Sequence, residues 1–119
     1  MDLALNFEEH PDNSIISGYR RLEGIVRDRT GLTHAHGAKL FSKAFQEDQS
    51  ILHWEEIKPS EQIGRASIFI GIYMAFRNPR AHREPATGTT AEAIREFMLL
   101  NELFLLESQS VTREVRPNE

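Results

Sequence analysis

The stretch Arg77-Asn78-Pro79-Arg80-Ala81-His82 sets a permanent cation and a titratable imidazole five positions apart at the end of an apolar helical segment. Arginine grips phosphate through a planar fork of donors, and histidine, with an ordinary pKa of about 6.5, gives or takes a proton near neutral pH. Metal-free phosphodiester cleavage needs these two tools, so the stretch is a candidate RNA-cleaving site.

On a regular helix five residues turn the chain by roughly 140° beyond a full turn, so Arg77 and His82 do not converge on one phosphate by themselves. Pro79 lies between them, removes a backbone donor and disfavours helical geometry at Asn78, which predicts a kink or local unwinding. The kink can re-aim the pair, or the missing partner can come from a second copy of the chain. A plainer role competes with catalysis, because cations at a helix C-terminus are stabilised by about 0.3–1 kcal/mol and need no other purpose.

Other reactive residues carry less. His34 and His36 are two positions apart and on a helix point about 200° from one another, so they do not chelate a metal together. His53 beside Trp54 reads as a packed or interface residue and His10 as a flexible one. Glu23 and Arg27 stand at the i,i+4 spacing of a helical ion pair worth a few tenths of a kcal/mol. There is no Gly-rich phosphate cradle, no Ser or Cys nucleophile motif, and no carboxylate cluster around the motif such as a two-metal nuclease requires. Neither metal nor cofactor is expected.

The chain that must position Arg77 and His82 has 119 residues, enough for one domain that buries somewhat over about 60% of its extended surface without a staple. Cysteine is absent, which excludes thiolate zinc sites and gives no sign of an oxidising compartment. The acidic start, Met1 to His10, is unlike a secretory signal, and the apolar runs at 68–76 and 97–106 fall short of the ~18 residues that span a bilayer. A cytoplasmic protein without a membrane partner is expected. Net charge is −4, from 14 Lys+Arg and 18 Asp+Glu, so any contact with nucleic acid must be local. Arg77, Arg80 and Arg83 form one basic cluster; Arg20, Arg21, Arg27 and Arg29 form another. Arg80 and Arg83 are the candidate RNA-binding residues beside the motif.

The pattern of the chain is all-α. Ile15, Tyr19, Leu22, Ile25 and Val26 predict a helix over 14–29 that stops at Gly31. A second helix is predicted from near Thr33, with Ala38, Leu40, Phe41, Ala44 and Phe45 on it, followed by a polar stretch that holds Trp54. Pro59 and Ser60 open a third, apolar all round from Ile68 to Phe76 and so expected to be central. Gly64, Ser67, Gly71 and Ala75 form a stripe of small residues on it that leads on to Asn78 and His82. Thr89 and Glu92 fit a capping box for a fourth helix to about Gln109. Its apolar surface exceeds a bundle's stripe and suggests a second subunit. Residues 1–12 and the polar tail, 110–119, are expected to be flexible ends of a single domain over 1–119.

A helical bundle with arginine, a polar residue, three further residues and histidine at the end of its third helix resembles the HEPN superfamily (higher eukaryotes and prokaryotes nucleotide-binding domains). Within it the chain is similar to short bacterial and phage hypothetical proteins whose Gly-rich apolar helix runs into Arg-Asn-Pro-x-Ala-His. The matched stretches are Leu22 to Arg27 with Gly31-Leu32, Gly37 with Leu40 to Phe45, and Gly71 to His82. The resemblance implies a HEPN-like bundle of four to five helices and a metal-independent endoribonuclease with its cleft between two subunits. Toxin–antitoxin, phage-defence or RNA-maturation systems are the implied setting, with an antitoxin or larger defence complex as a partner. Arg77, Asn78 and His82 fall on the catalytic positions.

The chemistry so implied is attack of a ribose 2′-hydroxyl on the adjacent phosphorus, leaving a 2′,3′-cyclic phosphate and a free 5′-hydroxyl. His82 moves the proton, Arg77 neutralises the phosphate oxygens and Asn78 orients phosphate or imidazole. Two rivals stand beside it: a non-catalytic dimeric module binding nucleotide, RNA or protein through the same cleft, and a purely structural subunit of a larger assembly.

Overall fold

The computed structural model describes residues 11–46, 50–79 and 90–113. These form an all-α bundle with one short antiparallel ribbon. Helix α1 (Pro11–Thr30) buries Ile15, Tyr19, Leu22 and Val26, whose 4,3,4 spacing keeps them on one face. It ends as expected at Gly31, whose φ of 76° suits glycine and whose amide donates to the Arg27 carbonyl at 2.8 Å.

The second helix starts later than its apolar pattern predicts. Residues 31–36 are a turned loop, held by Thr33 N donating to Gly31 O (2.9 Å) and Ala35 N to Leu32 O (3.2 Å). Gly37 then enters α2 (Gly37–Phe41) from a left-handed φ of 57°, which no interior helical position adopts. His34 and His36 therefore lie on a loop, and the helical geometry used to separate them does not apply. Helix α2 widens into a π-turn, Ser42–Gln46. The side-chain amide of Gln62 donates to the Phe45 carbonyl in that turn at 2.7 Å and accepts from Trp54 N at 3.3 Å.

Helix α3 (Pro59–Ile72) has proline in its first turn, where the missing N–H costs nothing, and it too runs into a π-turn, Tyr73–Arg77. Helix α4 (Thr90–Gln109) closes the bundle against α1. Thr89, the expected cap, lies outside the described residues. Strands β1 (Leu52–His53) and β2 (Val111–Thr112) pair antiparallel, with Leu52 opposite Thr112 and His53 opposite Val111. This ribbon was not predicted, because two residues are too few to show alternation. It holds the tail, expected to be loose from Ser110, as far as Arg113, whose backbone amide donates to Ile51 O at 2.7 Å and whose Nε donates to Ser50 O at 2.8 Å.

A file of six aromatic rings forms the core. Tyr19 meets Tyr73 edge-on (4.9 Å), Tyr73 meets Phe41 (4.5 Å), and Phe41 stacks on Phe69 (5.3 Å). Phe69 stacks on Phe45 (4.6 Å) and Phe45 on Trp54 (5.0 Å). Trp54 ends the file with its indole N–H on the Leu106 carbonyl of α4 at 2.8 Å. Such ring pairs add about 0.5–1.5 kcal/mol each beyond the area they bury.

Helix α3 is not enclosed all round. Phe69, Ile72 and Tyr73 are buried, while Ile63, Ile68 and Met74 are exposed, Met74 by 62%. On α4 the same split leaves Ile94, Met98 and Leu105 exposed. No helix among the described residues is long and apolar enough to cross a membrane.

Arg29 ties the ends of α1 and α4 together. Its NH1 donates to the Glu107 carboxylate, to the Glu107 carbonyl (2.9 Å) and to Ser110 Oγ (2.9 Å), and its NH2 donates to Ser110 O (2.8 Å). Glu107 is buried, so losing its cation strands a charge in the interior. Arg29→Ala is expected to lower unfolding stability in urea by about 3 kcal/mol, the low end for breaking such a pair because Arg29 itself is partly exposed. A Glu107→Leu change in the Arg29→Ala background should recover part of that loss.

Candidate active site

The site is built where the end of α3 crosses α1. Proline at position 79 has no N–H and its ring presses on the carbonyl four residues back, at Ala75. The helix widens just before it: the Asn78 amide reaches the Tyr73 carbonyl, five residues back, where an α-helix would bond four back. The irregularity predicted at Pro79 is therefore a π-turn on its N-terminal side, with the helix continuing through Asn78 and Pro79. One extra residue in the turn changes the direction in which Arg77 leaves the helix.

Arg77 points onto α1. Its NH2 lies 3.8 Å from Glu23 Oε2, and Arg27 NH1 lies 3.7 Å from Glu23 Oε1. That same Oε1 accepts the Gly37 backbone amide at 2.7 Å. One buried carboxylate thus holds the end of α3, the end of α1 and the start of α2. Two guanidiniums flank it, so the trio keeps one positive charge in excess. Asn78 Oδ1 sits 3.4 Å from Arg77 NH1, a long contact that turns the Asn78 carbonyl toward the guanidinium.

Two polar groups here are buried without a hydrogen-bond partner among the described residues: the Arg77 Nε–H and the Tyr19 hydroxyl. Unsatisfied buried donors are uncommon and recur at functional sites. Burial pushes the Tyr19 phenol well above the usual tyrosine range; Glu96 pushes the same way and Arg77 opposes. The Tyr73 phenol is raised further, first by burial and then by Glu23 and Tyr19, and it donates to the Tyr19 carbonyl at 3.1 Å. Both hydroxyls therefore stay protonated across the physiological range, and that of Tyr73 acts as a neutral donor.

Of the predicted site residues, Arg77 and Asn78 are brought together. Arg80, His82 and Arg83 lie outside the described residues. No group of three or more His, Asp or Glu able to hold a metal occurs among the described residues. Three participants were missed: Tyr19, Glu96 and the wider role of Glu23, which pairs with Arg27 as its spacing predicted but also with Arg77 and Gly37. Their signal was register. Glu23 follows Tyr19 by four and precedes Val26 by three, and Glu96 keeps the same phase with Ala93, Leu100 and Leu103, so each is an acid on a buried stripe.

A family model described as "Protein of unknown function (Hypoth_ymh)" matches residues 4–106. The chain belongs to the Hypoth_ymh family. No curated protein and no solved structure matches it. The Hypoth_ymh assignment corrects the resemblance to HEPN proteins: the family is an uncharacterised one, and no match to HEPN accompanies it. The bare arginine-to-histidine spacing arises often by chance, and its placement after the apolar segment 71–76 did not make it specific to HEPN proteins. The toxin or defence setting and the antitoxin rested on the resemblance alone and go with it. What survives for this Hypoth_ymh chain is what its own residues support.

The shared carboxylate makes a thermodynamic prediction. Glu23→Gln should cost about 2 kcal/mol in urea unfolding, since two guanidiniums lose their counter-charge and a charge-assisted bond to Gly37 weakens. Combined with Arg77→Met, the two losses should fall short of additive by about 1 kcal/mol or more. Strict additivity would mean that Glu23 does not hold Arg77.

Proposed function

We propose that this protein is a metal-independent endoribonuclease that acts in the cytoplasm as a homodimer. The observation that carries the reading is Arg77. It is held by the buried Glu23, its buried Nε–H has no partner among the described residues, and it lies five residues before His82. A guanidinium fixed in this way meets a phosphate without first losing side-chain freedom, which is the preorganisation that charge stabilisation requires.

In the proposed reaction the ribose O2′ forms a bond to phosphorus as the P–O5′ bond breaks. One imidazole takes the 2′-hydroxyl proton and another delivers a proton to O5′, so a pair of chains supplies both from His82. Arg77 carries the charge that gathers on the non-bridging oxygens, and Asn78 orients the phosphate through its side-chain amide. DNA lacks the nucleophile and is not cut.

The second copy is supported by the outward face of α3. Gly64, Ser67, Ile68, Gly71, Met74 and Ala75 are all exposed, and a side chain added at Gly64 or Gly71 would meet nothing within 4 Å. Glycine in a helix costs up to about 1 kcal/mol relative to alanine, and nothing in the described chain repays that cost. A second helix lying closely along the stripe does, and it brings the two motifs toward each other.

Purified protein in excess EDTA is expected to cut a mixed RNA pool to products with 2′,3′-cyclic phosphate ends. His82→Ala and Arg77→Ala should each lower the rate at least about 100-fold, as for loss of a positioned proton donor or charge stabiliser. Gly71→Glu should yield monomers in sedimentation velocity and lose cleavage without loss of helical circular dichroism. The binding-module reading draws on the same Glu23–Arg77 pair, which also satisfies a structural role. It predicts RNA retained and uncut by the parent and the His82→Ala variant alike.

A further inference from the structure

The loop between α1 and α2 and the residues after it line an open cavity of about 540 Å³ whose wall includes Gly31, Thr33, His34, His36, Lys39 and Lys43. Among the described residues its lining carries two ammonium groups and two imidazoles and not one carboxylate. In a chain of net charge −4 that composition departs from the average surface. Lys39 on α2 and Lys43 in the π-turn that follows both line the cavity, and an anion bound there would relieve the repulsion between their like charges. Ammonium groups also repel a metal ion, so the histidines beside them do not make a cation site.

The cavity is preformed. The left-handed glycines 31 and 37 fix the two ends of the loop that lines it, and the turn bonds of Thr33 and Ala35 fix the middle of that loop. Arg27 NH1 braces it from outside through the Ala35 carbonyl (3.4 Å) and His36 Nδ1 (3.2 Å). The loop that lines it is tied to the candidate active site: one Glu23 oxygen accepts the Gly37 amide, next to His36, and the other faces Arg77. The loop and Arg77 therefore share one carboxylate.

We propose that this cavity is a phosphate-binding subsite that holds the RNA backbone next to the phosphate gripped by Arg77, an assignment that rests on the ribonuclease reading of that site. Lys39 and Lys43 supply point charges to the strand, His34 and His36 supply ring N–H donors, and Arg27 sets the rim. The subsite reads phosphate, so it adds affinity and register without base preference.

The test uses the full chain, its Lys39→Ala/Lys43→Ala double variant, and a fluorescein-labelled single-stranded RNA in EDTA. Both lysines are exposed and alanine keeps the helix, so folding is preserved. Anisotropy titrations across a salt series should show affinity falling roughly tenfold. The slope of log affinity against log salt should shrink by about 1.4, or 0.7 for each lost contact to a single strand. Cleavage should show a raised KM with kcat unchanged. An unaltered slope and KM in a parent that cuts RNA would overturn the subsite and leave the ribonuclease standing. Lysine-dependent binding by a parent that cuts nothing would keep the subsite and sink the ribonuclease; a parent that binds no RNA would sink both. Release of the RNA by inorganic phosphate as readily as by competing RNA, counted per phosphate, would assign the cavity to a free anion and overturn the strand reading.

Discussion

A single buried carboxylate sets the terms for this fold. Glu23 has little contact with water, and an ion in that position costs several kcal/mol unless partners surround it. Those partners come from three places in the chain: Arg27 one turn on, the Gly37 amide at the entry to α2, and Arg77 at the end of α3. Satisfying Glu23 therefore requires the loop at 31–36, the left-handed glycine that turns the chain back, and the π-turn that directs Arg77 inward. The aromatic file from Tyr19 to Trp54 packs the interior below it and leaves those elements little freedom to shift relative to one another.

The arrangement gives Arg77 two jobs that share one geometry. It neutralises Glu23, a matter of stability, and it keeps one N–H, at Nε, without a partner among the described residues, a matter of chemistry. An arginine free on the surface would lose rotamer freedom on meeting phosphate, whereas one already clamped has lost it on folding. The positive charge left in excess around Glu23 and the basic lining of the cavity at 31–43 are local features of a chain that is acidic as a whole.

The helices were legible in the sequence because their apolar spacing is regular: Ile15, Tyr19, Leu22 and Val26 predict α1 to within a few residues, and Pro59 announces α3. What was not legible depends on partners distant in sequence. The late start of α2 follows from turn bonds within 31–36 and from the φ of Gly37, against an apolar pattern that runs without interruption. The ribbon of Leu52–His53 with Val111–Thr112 is too short to leave a periodic trace. At the site, Arg77 and Asn78 announced themselves by chemistry, whereas Tyr19, Glu23 and Glu96 look like ordinary helix residues until their phase on a buried stripe is counted. Ile68 to Phe76 read as a fully enclosed segment because apolar content alone does not distinguish a core from a face awaiting a partner.

The π-turn at Tyr73–Arg77 has a consequence for how such a chain can change over generations. A π-turn is an α-helical turn with one residue inserted, so a single-codon deletion there would return the helix to uniform pitch and swing everything beyond it by about 100°. Arg77 would then face a different neighbour with its side chain untouched. The orientation of the arginine is thus encoded by the length of the segment, and a frame-preserving insertion or deletion is the kind of genetic event that creates or abolishes it in one step.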